Sequence, residues 1–259
     1  MSEIDARANV SRSARIGEGA RIGPFAVVGD EVELGDGCIV DAHCVLQGPA
    51  RIGRENRFCS FAVIGGDPQD LTYAGERVAL EIGDANLFRE FVSVNRGTKK
   101  GGGTTRIGSH NMFMAYAHVG HDSQVGDHTI FVNGATLAGH VIVEDYATVG
   151  NFCPVHQFCR VGRYAYIGAH TAITQDVPPF SKVVQTRDVR CYAVNAIGLE
   201  RHGFSRERIQ TIERAYRFLL RSKLNTTQAI QRMRETLDGS DDVTELIRFI
   251  ESAERGLTK

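Results

Sequence analysis

An aliphatic residue or Phe recurs every sixth position along most of this chain. The series runs Ile4, Val10, Ile16, Ile22, Val28, Leu34, Val40, Leu46, Ile52, Phe58 and Ile64. It resumes at Ile82, Phe88 and Val94, then holds from Ile107 to Ile173, giving 26 marked positions, 13 of them followed directly by Gly. A helix repeats near 3.6 residues and a strand at 2, so six fits neither alone. It fits a solenoid whose flat faces each take one hexapeptide. Three hexads then close a triangular coil of about 18 residues, stacked at the inter-strand spacing of about 4.8 Å. Residues one such coil apart should therefore lie directly above one another. The position four after a marked residue is usually small, as at Ala14, Ala20, Ala26, Cys38, Cys44, Ala117, Ala135, Cys153 and Ala165. A tight corner there is expected, with neighbouring Gly relieving backbone strain.

Composition narrows the class. With 24% charged and 42% hydrophobic residues, the chain is that of a globular protein. A net charge of −1 excludes a general nucleic-acid binder. No run of about 18 apolar residues suggests a membrane span, and hexads starting at Ile4 leave no signal segment to expect. Four of the six Cys occupy the small corner site, and none forms a CxxC pair. They read as structural filler, which makes a reducing cytoplasm the expected compartment.

The repeat fails twice, over about 65–81 and 95–106. Each stretch reads as a loop thrown out from the prism, and long excursions from a regular scaffold commonly carry function. Residues 1–189 are thus expected to form the solenoid. Residues 190–259 are expected to form a helical domain, because Ile209, Ile212, Tyr216, Leu219 and Leu220 share one helix face. Asn225 with Gln228, and Asp242 with Glu245, have the spacing of capping boxes for two further helices. From Glu200 to Lys223 there are six Arg and one Lys against three Glu. That stretch is either a solvated helix surface or a landing pad for an acidic partner.

The stacking rule also points to chemistry. Residue 121 plus 18 is Gly139, and residue 122 plus 18 is His140. His121 and Asp122 should lie one coil, about 4.8 Å, below Gly139 and His140. A His beside an Asp suits a general base, and an outward Gly N–H suits an oxyanion. A surface His column without chemistry has the same spacing. His118 and His121, three apart, invite a metal reading, but residues three apart on a coil point in different directions.

The runs GGDPQDLTYAGE, NRGT with GGGTT after it, HVGHD, ATLAGHV, VHQFC, TQDVPP and GLERHGFSRE resemble the UDP-N-acetylglucosamine acyltransferase family over essentially the whole chain. The resemblance implies a homotrimer of left-handed parallel β-helices, each with a C-terminal helical domain and active sites between subunits. It implies transfer of a 3-hydroxyacyl chain from acyl carrier protein to the 3-position of a UDP-sugar, the first step of lipid A synthesis, with no metal and no other cofactor. His121 becomes the base, Asp122 its partner and the Gly139 N–H the oxyanion donor. Gln69, Asp70, Thr72 and Asn95 fall near the sugar; His118, His140, His156 and Gln157 fall on the sugar, diphosphate or acyl donor. Asn195 and Arg201 would hold the uridine and phosphate end, and Ala169 would limit acyl length. The basic helices would receive the carrier protein. Thr72, Asn95, Ile197 and His202 depart from the family's usual Lys, His, Glu and Arg. The first two departures raise the 3-amino sugar analogue, with an amide product, as an alternative acceptor. The N-acyltransferase of the same pathway carries an extra N-terminal domain for which hexads from Ile4 leave no room. A non-catalytic scaffold would need neither loop nor a His–Asp pair beside Gly139, and a zinc-dependent hydratase would need ligand His on facing subunits.

Overall fold

A computed structural model describes residues 1–185 and 189–258. Three sheets of eleven, eight and eight strands run the length of the coil. Successive strands in the chain fall in successive sheets, and neighbours within a sheet pair in parallel one coil apart, as Arg21 with Ile39 and Gln124 with Ile142. This is a left-handed parallel β-helix. Every marked residue from Ile22 to Ile173 is buried. Ile4, in the first of the described coils, is 44% exposed.

The corners differ from the expectation in a telling way. The left-handed residue sits three after the inward-pointing one, and it is rarely Gly. Eighteen non-glycine residues have φ between 49° and 67°. Fourteen of them carry a ring, namely six Phe, three Tyr and five His. Such a conformation costs about 1–2 kcal/mol per residue, and ring stacking at about 0.5–1.5 kcal/mol per pair offsets much of it. Phe25, His43, Phe61, Phe91 and Tyr116 stack in a column along one edge, with centroids 4.9–5.2 Å apart. His110, His128, Tyr146 and Tyr164 stack along another, 4.6–4.9 Å apart. The Gly that follows a marked residue is needed for another reason, because the next coil passes too close for a side chain. A Cβ on Gly120 would lie 2.7 Å from the Ala138 carbonyl carbon.

Both excursions are visible in the register. Ile64 pairs with Val94, and Val94 with Val119. Each separation exceeds the about 18 residues of an ordinary coil, and the first loop lengthens its coil more than the second. The two lie in consecutive coils and bond to each other, Ala79 N to Gly103 O at 2.8 Å and Gly97 N to Ala79 O at 3.1 Å.

Beyond the last coil, Ser181–Gln185 and Val189–Val194 pair antiparallel and extend the first sheet. The hexad pattern predicts only a crossing segment here. Four helices follow: α1 (Ala196–Arg201), α2 (Arg206–Leu220), α3 (Thr226–Thr236) and α4 (Asp241–Glu251). Ser205 caps α2, and Asn225 with Gln228 forms the expected capping box on α3. The cap of α4 is Ser240, not Asp242. Asp242 instead stands in the first turn and accepts from Arg208 of α2 at 2.9 and 3.1 Å. A carboxylate in the first turn is favoured by the helix dipole, so the pair ties two helices without capping either.

Inside the prism, Phe58, Phe88, Phe113 and Phe131 stack at 4.7–5.0 Å and are fully buried. Phe88 has a ring above and below, so Phe88→Ala should destabilise the fold by about 3–5 kcal/mol. Urea unfolding of the variant checks this; a loss under about 1 kcal/mol would mean that the column carries little of the stability.

Candidate active site

The corner between the two eight-stranded sheets, between the strands His118–Val119 and Gln124–Val125, carries the His–Asp pair. His121 follows the strand His118–Val119, and Asp122 takes the left-handed corner position with φ 61°. Asp tolerates this conformation better than most residues. The turn aims its carboxylate along the coil edge, where it is wholly buried. His121 Nδ1 lies 2.8 Å from Asp122 Oδ2. An imidazole bonded through Nδ1–H keeps Nε2 free as an acceptor, the tautomer a general base needs.

The coil above completes the arrangement. His140 N donates to His121 O at 2.9 Å, the contact that the stacking rule anticipates. The Gly139 backbone lies over the His121 ring: a Cβ there would fall 2.5 Å from Cε1 and 2.7 Å from Nε2. Only glycine leaves the ring this room. Among the described residues no acceptor takes the Gly139 N–H. His140 meets the His121 ring edge-on at 5.2 Å and stacks on Phe158 at 4.5 Å.

Two loops roof this corner. In the first, Asp70 accepts from Thr72 N at 2.7 Å and Thr72 Oγ1 at 2.8 Å. These bonds hold its carboxyl below the ordinary carboxylate range, with smaller help from the charges of Lys100 and His121. Gln69 is exposed beside it. From the second loop, Lys100 Nζ reaches Thr72 Oγ1 at 2.8 Å. An ammonium thus stands beside Thr72, although the residue itself is neutral. Asn95 Nδ2 donates to Asp67 O at 2.7 Å, while its Oδ1 is buried without a partner among the described residues. Arg96, 7% exposed, donates to Gly48 O at 2.8 Å and Gly65 O at 2.7 Å, and pairs with Asp67. It braces the root of the first loop from the second.

The remaining expected residues divide into near and far. His118 is close: Ser93 Oγ meets its Nδ1 at 2.8 Å. Burial, and then the charge of His121, push its pKa down. Gln157 lies one coil above Gly139, and the exposed His156 Nδ1 meets the Gln157 carbonyl at 3.1 Å. Arg255, from beyond α4, also reaches His156 Nδ1, at 3.3 Å. Ala169 follows the first sheet, and so lies at a different edge of the prism. Asn195 lies at the third edge, where Nδ2 donates to Tyr164 O at 3.0 Å and Oδ1 caps α1 through Gly198 N at 3.3 Å. Arg201 is in the last turn of α1. One chain therefore does not bring Ala169, Asn195 and Arg201 to the His121 corner.

Sequence reasoning missed Thr98, Lys100, Gly101 and Arg255. The first three sit in the 95–106 excursion, where the stacking rule is silent, and Arg255 is far from His156 in the chain. A cavity of about 1270 Å³ lies elsewhere, between α4 and the outer face of the eight-stranded sheet that holds Gln124–Val125. Two ion pairs line it, Arg160 with Glu144 at 3.1 Å and Arg163 with Glu245 at 3.8 Å.

His121, Asp122 and His140 could in principle hold a cation, their ligand atoms lying within 4.8 Å of one another. The bonding opposes this. Asp122 already accepts from Thr98 N, Thr98 Oγ1 and His121 Nδ1, so His121 Nδ1 is engaged on that carboxylate. The set is a hydrogen-bonded acid–base pair.

Comparison with known proteins gives a consistent result. Residues 176–258 match the family model described as UDP-N-acetylglucosamine O-acyltransferase, domain 2. Residues 13–48 and 104–139 match the bacterial transferase hexapeptide model. An acyl-[acyl-carrier-protein]–UDP-N-acetylglucosamine O-acyltransferase of Stenotrophomonas maltophilia is 48% identical over 207 residues, 80% of this chain and 79% of that one. The structure of a UDP-N-acetylglucosamine acyltransferase from Bacteroides fragilis superposes with TM-score 0.96 at 36% identity, over 98% of this chain and 99% of that one. The corresponding Francisella novicida enzyme gives 0.95 at 36%, over 98% and 93%.

His118 yields a prediction about acid stability. The native state favours its neutral form, whereas the unfolded chain takes up the proton near the ordinary value of 6.5. Its contribution is therefore full above pH 6.5 and is lost as pH falls below it. His118→Gln should flatten the decline in urea-unfolding free energy between pH 7 and pH 5. An unchanged pH slope would count against the burial argument.

Proposed function

The chain belongs to the UDP-N-acetylglucosamine O-acyltransferase family, and from that premise we propose that it moves a 3-hydroxyacyl chain from acyl carrier protein to the 3-hydroxyl of UDP-N-acetylglucosamine. It is an acyltransferase. The observation that carries the mechanism is the hydrogen-bonded His121–Asp122 pair beneath a glycine whose N–H has no partner among the described residues.

In this reading the sugar hydroxyl attacks the thioester carbonyl while His121 Nε2 takes its proton. Asp122 fixes the tautomer and stabilises the imidazolium that forms. The carbonyl oxygen becomes an oxyanion and accepts from Gly139 N–H. The tetrahedral intermediate collapses, the C–S bond breaks, and the thiolate of the carrier takes the proton back from His121. Products are the sugar ester and the free carrier thiol. His118, His140, His156 and Gln157 line the approach along the coil edge, and Gln69, Asp70, Thr72 and Asn95 hold the sugar from the loops. The named O-acyltransferase relatives favour oxygen over nitrogen as the acceptor atom.

The active unit is a homotrimer. Ala169 and the pair Asn195–Arg201 lie at edges other than that of His121, so one site gathers all three groups only by combining edges of different copies. Phe25, Phe61, Phe91, Tyr116 and Phe152, each 45–62% exposed, provide the apolar surface for association. The β-helix supplies the chemistry, and the helical tail that follows Val194 offers Arg206, Arg214 and Arg217 to the acidic carrier. The reaction takes place in the cytoplasm.

His121→Ala should lower turnover by roughly 10²- to 10⁴-fold with little change in sugar binding. Turnover near wild type in a folded variant would remove His121 from the mechanism. Ala169→Met should shift the preferred acyl chain to a shorter one, since each buried CH₂ lost from the groove forfeits about 0.8 kcal/mol. Mass spectrometry of products from a panel of acyl carrier proteins reads both the length and the ester linkage; an unchanged length profile would refute the role of Ala169.

A further inference from the structure

The second loop reaches into the acid–base pair itself. Thr98 N donates to Asp122 Oδ1 at 2.7 Å, and Thr98 Oγ1 donates to Asp122 Oδ2 at 2.7 Å. The same Oγ1 accepts from Gly101 N at 3.2 Å, closing the 98–101 turn over the carboxylate. Gly101 lies so near that a Cβ there would collide with the Asp122 carboxyl group. On the far side, Thr105 Oγ1 accepts from Asp122 N at 2.8 Å. The buried carboxylate thus has its orientation set from a segment that is not part of its own coil.

That orientation decides which imidazole it serves. Asp122 Oδ2 is 2.8 Å from His121 Nδ1 and 3.6 Å from His140 Nε2. The two rings stand at 89° to each other, on either side of one oxygen. A small rotation of the carboxylate would transfer the bond from His121 to His140.

We propose that Thr98, with the Gly101 backbone laid against the same carboxyl group, is a positioning residue of the acyl transfer that holds Asp122 on His121 Nδ1 and off His140. It acts through Asp122, and it rests on the functional reading given above. The 95–106 excursion is then part of the acid–base machinery as well as a brace for the first loop. Other ionisable groups facing the pair are His118, His140, Asp70 and Lys100.

Thr98→Val keeps the shape and removes the hydroxyl. Its kcat should fall roughly 10- to 100-fold, the worth of a hydrogen bond to a buried charge, with KM for the UDP-sugar unchanged. His121 loses part of its carboxylate, so its imidazolium is less stabilised. The acid limb of the pH–rate profile should move to lower pH, and nitrogen NMR of the His121 ring should show an Nε2–H population absent from the wild type. Thr98→Ser should restore all three. If Thr98→Val does not fold, Gly101→Ala tests the same contact by pushing the carboxyl group aside, and should give the same signature. A wild-type kcat, or an acid limb unmoved or moved to higher pH, would overturn the proposal. The ring NMR needs no turnover: a wild-type protein that shows the Nδ1–H tautomer yet transfers no acyl group would sink the functional reading and leave the positioning role standing.

Discussion

Each coil of this chain must turn three corners within about 18 residues, and a left-handed residue makes most of those turns. Glycine would take the conformation at no steric cost, yet the chain places rings at fourteen such positions. The reason lies in the stacking that the coil imposes. Equivalent corners come to lie about 4.8 Å apart, close to the distance at which aromatic rings stack. One geometric demand thus creates columns of rings that help to meet its own cost. Substituting glycine would relax the backbone and lose the columns.

The same corner makes the acid–base pair possible. Asp122 occupies a left-handed position that elsewhere most often holds Phe, Tyr or His, and His140 occupies the equivalent position one coil above. Rings would stack here; a carboxylate under an imidazole forms a polar contact instead. Burying the carboxylate would be costly without partners, and the column supplies only one firm bond, to His121. The other two come from Thr98. The excursion that interrupts the hexads beside this corner therefore satisfies an electrostatic need that the repeat cannot.

This also explains what was legible in the sequence. The coil, the buried series and the superposition of His121 on Gly139 follow from one period, because the register repeats whenever the period holds. The loops were legible as interruptions but not in their internal bonding: nothing in the spacing sends Thr98 to Asp122, Arg96 to the root of the first loop or Lys100 to Thr72. Asn195 shows a second limit. The resemblance implies substrate binding for it, and nothing in the spacing shows that its side chain caps α1 and holds Tyr164. The Asp242–Glu245 spacing failed for a local reason, since Ser240 lay just upstream with a better-placed hydroxyl.

A prism of fixed pitch also turns sequence distance into length. No excursion separates His121 from Ala169, so Ala169 stands two and two-thirds coils higher, or about 13 Å along the axis. A threefold axis parallel to the prism preserves that height, whichever copy supplies each residue. In the proposed trimer, a groove running along the axis from His121 to Ala169 would have its depth set by a count of hexads and its floor by one side chain. Adding or removing a coil would change the depth in steps of about 4.8 Å and would disturb every contact above it. Under that proposal, changing the bulk of residue 169 would adjust the same length in finer steps and leave the register intact. The small residue at position 169 is thus, in the proposed trimer, the place where the regular solenoid leaves specificity free to vary.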